Sequence, residues 1–113
     1  MIIIANKRSK AENLRKKYGE DAVIVDVTSK ATDDMVRLSP FYPHGGIPVP
    51  FSHGFAAMSV EGIWQGLKVF ENCGIDVAMF YNATMKNIKR TVRRFGRPLG
   101  HKKGVQSHEL LSY

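Results

Sequence analysis

Disulfide chemistry is closed to this chain, because its 113 residues include one cysteine, Cys73. A lone thiol suits a reducing compartment, and with no histidine nearby in sequence to activate it, Cys73 reads as buried and inert. Metal-ligand spacing is missing too. His44, His53, His101 and His108 stand apart with no cysteine cluster beside them, so neither zinc nor any other cofactor is expected. Long apolar runs are absent, which argues against a membrane-spanning helix. The apolar start, Met1 to Ala5, meets charge too soon for a signal peptide. The expectation is a cytoplasmic protein with no membrane partner.

Acidic residues are scarce in one place. Residues 77–113 hold eight Lys or Arg against a single carboxylate, whereas residues 1–76 hold nine of each sign. The whole net charge of +7 therefore sits in the last third. Such a field attracts phosphates, on a nucleotide or on a nucleic acid, and it also serves simply as a solubilising surface.

Length sets the remaining frame: 113 residues suffice for one domain with one modest core. Ile2–Ala5 and Ala22–Val27 read as short apolar strands. Between them Ser9-Lys10-Ala11-Glu12 matches a capping box, and Gly19 supplies a helix stop. Strand, helix and strand in so few residues predict a compact crossover. From Ser39 to Gly54 four prolines and three glycines exclude a helix. That stretch is either a functional loop or an aromatic-lined cover over the core.

Ser59 is a good N-cap for a helix over 59–72. In it Val60, Ile63, Trp64 and Leu67 form an apolar stripe, and Glu61, Gln65 and Lys68 form a polar one. The polar stripe is either a ligand-holding face or an ordinary solvated one. Gly62 and Gly66 lie beside it, where a missing side chain admits a close neighbour, helix or ligand. Ile75–Tyr81 reads as an apolar turn of helix. Thr84 opens a further helix to Phe95, with Met85, Ile88, Val92 and Phe95 inside and Lys86, Lys89, Arg90, Arg93 and Arg94 outside. Ser107–Leu111 starts another helix, and its two leucines suggest contact with a second copy or another chain. The fold class expected is α+β: a small sheet from the N-terminal crossover, packed by the 59–72 and 84–95 helices.

Leu38-Ser39-Pro40-Phe41, a Pro/Gly-rich spacer, then Ser59-x-Glu61, Trp64-Gln65 and Lys68 resemble the signature of the NADAR family. Phe95-Gly96-Arg97 looks like the end of that family's basic helix. Gly62 stands where family members commonly carry histidine. The resemblance covers roughly residues 25–100, the front part of a domain that in the family continues into a Gly/Asn-rich half. It implies a single NADAR-like domain over 1–113 and an N-glycosidase acting on an ADP-ribosylated nucleobase or a riboflavin-pathway intermediate. Glu61 would be the acid/base, and Arg37, Ser39, Phe41, Trp64, Gln65, Lys68 and Arg97 would contact a ribosylated or phosphorylated substrate. The rival expectation is a non-catalytic module that binds nucleic acid or nucleotide through Lys86, Lys89, Arg90, Arg93 and Arg94, or a subunit of a larger assembly.

Overall fold

The prolines and glycines gathered in residues 39–54 keep the elements there short. The computed structural model describes residues 1–113 and shows an α+β fold: three α-helices, two 3-10 turns, and antiparallel sheets of two and three strands. The chain divides into two compact units, Met1–Ser39 and Pro40–Tyr113.

The first unit contains helix α1, Ala11–Tyr18, and a 3-10 turn over Asp34–Leu38. Gly19 ends α1 at φ 114, with its N–H on the Arg15 carbonyl, as its place in the sequence predicts. The capping box does not form. Lys10 is the N-cap and makes no side-chain bond, because Asn6 organises a turn just upstream, accepting from Arg8 N–H and Ser9 N–H. Nor do Ile2–Ala5 and Ala22–Val27 become strands: neither stretch pairs with a neighbour. Strands this short need a third partner and an apolar cover. None is offered, since α1 buries no residue and Ile2, Ile4 and Val23 are almost fully exposed. The sheets come instead from the second unit.

That unit is built on Val49, Ala57, Leu67 and Phe80, with Phe55, Ile63 and Val105 packed against them. From the proline-rich stretch it is Val49 that enters the core, and none of the aromatics Phe41, Tyr42 and Phe51; Phe51 is 73 % exposed. Strands β1, Ile47–Pro48, and β2, Ala56–Ala57, pair through this stretch and deliver Val49 to the core. Helix α2, Val60–Gly66, starts as expected: buried Ser59 accepts from the Gly62 N–H at 3.0 Å. The close neighbour admitted by its glycines is the 3-10 turn Val77–Tyr81, where an apolar helical turn was expected. A Cβ on Gly62 would lie 2.7 Å from the Met79 carbonyl oxygen, and one on Gly66 would run into the Phe80 ring.

This packing keeps only half of the polarity expected of α2: Ile63 and Leu67 face the core, but the polar side is buried as well. Gly62, Gln65 and Gly66 are its buried residues, while Val60 and Trp64 are half exposed. The helix also stops at Gly66 instead of reaching residue 72. Its next carbonyls are taken by other partners, Gly66 O by Asp76 N–H at 2.8 Å and Leu67 O by Lys102 N–H at 2.9 Å. Lys68–Phe70 therefore becomes strand β3, a fate that suits Val69 and Phe70.

Only the last turn of the expected 84–95 helix exists, as α3, Val92–Phe95. Met85 and Asn87 adopt left-handed φ of 60 and 55. Asn82 Nδ2 and Thr84 Oγ1 both donate to the Lys86 carbonyl, giving the backbone a turn in place of a helix. Strand β4, Pro98–Lys102, pairs with β3 and with β5, Leu110–Ser112, so the C-terminal leucines lie in a strand and not in the helix expected at 107–111. No helix of the chain is long and apolar enough to cross a membrane.

Gly66→Ala should lower the unfolding free energy by about 1–3 kcal/mol, the usual cost of forcing atoms into a filled site. Gly74→Ala, where an added methyl meets nothing within 4 Å, should be near neutral. Urea unfolding of the two variants against the parent checks both.

Candidate functional site

Glu61 stands in the first turn of α2 and is half-buried. Its backbone N–H donates to the Pro40 carbonyl at 2.8 Å, which places the start of the proline-rich segment beside it. Its Oε1 accepts from Gln65 Nε2 at 2.8 Å, the i, i+4 contact that helix geometry predicts. Gln65 is itself fixed, because its Oε1 accepts from the Arg90 N–H at 3.1 Å. The amide cannot turn over without losing both bonds. Glu61 is thus a carboxylate held through one oxygen.

Arg90 belongs to this scaffold and not to a phosphate-binding surface, which corrects its expected place outside a helix. It is 6 % exposed. Nη1 donates to the carbonyls of Gln65, at 3.0 Å, and Lys68, at 2.6 Å. Nη2 donates to Cys73 Sγ at 3.2 Å and to the Gly74 carbonyl at 2.5 Å. Its Cζ lies 4.9 and 5.1 Å from the ring centroids of Phe70 and Phe95, which are 5.5 Å from each other, so the guanidinium caps this ring pair. Cys73 is accordingly half-buried, with its sulfur engaged by a cation.

The other expected contacts separate. Phe41 lines a shallow depression of about 340 Å³ with Met85, Asn87, Ile88 and Lys89, and the Lys89 ammonium lies 5.7 Å over its ring. Gln65 and Pro40 connect this depression through the chain to Glu61. Arg97 is not brought there: it is exposed and paired with Glu71 at 3.4 Å. Arg37 and Ser39 belong to the first unit. Lys86, Lys89, Arg93 and Arg94 are exposed, as a basic surface requires.

Trp64 and Lys68 face a second cluster. Lys68 pairs with His101 across β3 and β4, and His101 with Leu111 across β4 and β5. The His101 ring lies 3.9 Å from that of Trp64 and stacks on Tyr113 at 5.7 Å with an 11° interplanar angle. Lys68 is 7 % exposed, and its ammonium sits over the rings of Tyr113, at 5.0 Å, and Phe70, at 5.6 Å. His101 Nε2 is buried without a partner. Sequence reading missed His101 and Tyr113. His101 is a strand residue whose face is set by the β3–β4–β5 register and Tyr113 follows the last strand, and no apolar alternation in Pro98–Lys102 announces either.

A family model matches residues 6–113, and its description is a family of unknown function, DUF6939. No curated protein and no solved structure matches the chain.

Burial first, then the Lys68 ammonium, hold His101 below the ordinary imidazole value of 6.5, against an opposing pull from the Trp64 carbonyl. The native state therefore binds this proton more weakly than the unfolded chain does. Stability should fall as pH drops through about 6.5 and keep falling until it passes the lower native value. His101→Gln should flatten that part of the pH profile. Thermal midpoints measured between about pH 7.5 and 5.5 test it; an unchanged slope in the variant would assign the loss to other groups.

Proposed function

The chain belongs to the DUF6939 family, and we propose from its own residues that it is an N-glycosidase-like hydrolase of a ribosyl C–N bond. The substrate class is an ADP-ribosylated nucleobase or a riboflavin-pathway intermediate, as the resemblance to NADAR proteins suggests. One observation carries this reading. Glu61 is held at Oε1 by Gln65, which Arg90 locks in turn, so the carboxylate is positioned in the first turn of α2. General acid–base catalysis asks for such a group.

Hydrolysis here needs water oxygen to bond to the anomeric carbon as the C–N bond breaks. The bonding pair leaves with the nitrogen. Glu61 takes a proton from the attacking water and returns one to the departing nitrogen, so charge and atoms balance. Phe41 offers a ring face to a base, and Lys89 offers an ammonium to a phosphate. Glu61→Gln should cut release of ribose-type product by at least about 10²-fold, the usual worth of such a group. Unchanged turnover would remove Glu61 from the mechanism.

A non-catalytic reading has its own support. Lys86, Lys89, Arg93 and Arg94 are exposed within one stretch of nine residues, and none is paired with a carboxylate. As a nucleic-acid binder the chain should lose affinity for a labelled oligonucleotide steeply with salt, and Arg93→Glu with Arg94→Glu should flatten that slope. A salt-independent affinity would sink it.

A further inference from the structure

A lysine is ordinarily the most readily solvated of side chains, and its ammonium finds water or a carboxylate. Lys68 has no carboxylate. The residue is 7 % exposed, and neither Arg97–Glu71 nor Lys103–Glu109 brings an acid to its ammonium. What surrounds the ammonium is aromatic: Phe70 and Tyr113 under it, with His101 beside it and Trp64 against His101. Ring faces compensate a cation only in part, which leaves the ammonium free to take an anion.

The remaining walls of the cluster complete a pattern. Trp64 is half exposed and Tyr113 two-thirds exposed, with ring centroids 6.4 Å apart, so both rings are reachable from solvent next to the cation. His101 carries no second positive charge into the cluster at neutral pH, since burial and Lys68 both oppose its protonation. The arrangement combines π-faces with one positive charge that has no ion-pair partner. Its complement is a flat ring bearing a negative group.

We infer that the face of β3–β4–β5 beside α2 is a binding site for a planar aromatic anion, its ring against Trp64 and Tyr113 and its anionic group on Lys68. This is a different place from the Phe41–Lys89 depression, and it stands whether or not Glu61 cleaves any bond. The anionic group is a phosphate, as in a nucleoside monophosphate, or a carboxylate on a heteroaromatic ring. Both would meet the ammonium alike.

Trp64 is the single tryptophan of the chain, so its fluorescence reports on the site directly. The full chain is titrated with adenosine monophosphate and with nicotinate, and separately with adenosine and with inorganic phosphate. Saturable change of Trp64 emission by one or both ring anions is expected. Adenosine and phosphate alone should bind at least tenfold more weakly, and whichever ring anion binds tighter identifies the anionic group. Lys68→Met should fold, because an apolar isostere of a buried charge is generally tolerated. It should reduce affinity for the ring anion to that for its uncharged counterpart, and Lys68→Arg should restore part of it. Circular dichroism confirms the fold of each variant. Failure of both ring anions to perturb Trp64, equal binding of adenosine and adenosine monophosphate, or undiminished binding by Lys68→Met would each overturn the proposal.

Discussion

The guanidinium of Arg90 ties together four stretches of chain that no strand or helix joins. Through Gln65 and Lys68 it holds the end of α2 and the start of β3, through Cys73 and Gly74 the turn beyond β3, and through Phe70 and Phe95 the approach of α3. Burying such a charge costs several kcal/mol. Each hydrogen bond to a charged donor returns about 1.5–3 kcal/mol, and each ring face about 0.5–2 kcal/mol, so one or two contacts would not suffice. Four acceptors and two ring faces do. The acceptors also include the Gln65 carbonyl at the C-terminal end of α2, where a cation is favoured by the helix dipole. Nε alone is left without a partner.

From this the arrangement of the polar residues follows. With Arg90 N–H fixed, Gln65 has one orientation, and Glu61 receives its amide. The helix ends one residue later because its glycines press it against Met79 and Phe80, and the chain then turns into the sheet. Glu61 and Gln65 stay on one side as a helical pair. Lys68 is carried away into the strand register, opposite His101. A stripe drawn on an ideal helix is thereby split into two sites.

How much of this is legible in the sequence depends on the range of the interaction that decides each element. Local chemistry reads well: Ser59 as a cap, Gly19 as a stop, a helical turn before Tyr81, and the Glu61–Gln65 contact all follow from spacings of a few residues. The α+β class follows from the mixture of such signals. What failed depended on distant partners. Ile2–Ala5 and Ala22–Val27 have the composition of strands and no neighbour to pair with, whereas Leu110–Ser112 became a strand because Gly100–Lys102 lies beside it. The buried sides of Gln65 and Lys68, and the burial of Arg90, come from packing that links residues more than fifteen positions apart. Charge alone gives no hint of them.

The same packing changes what the basic third of the chain can do. Eight cationic residues lie in 77–113, but they are not equivalent. Arg90 is sealed inside, Arg97 is neutralised by Glu71 and Lys103 by Glu109, and Lys102 Nζ donates to the Val105 carbonyl. Subtracting these leaves Lys86, Lys89, Arg93 and Arg94, in a stretch that the Asn82–Thr84 turn precedes and that buried Arg90 anchors at its middle. A field of +7 spread over a molecule is screened within about 8–10 Å at ordinary salt. Four charges confined to nine residues act within that distance. The cationic character that matters for phosphate recognition is therefore narrower than composition implies, and it borders the Phe41–Lys89 depression to which Gln65 links Glu61.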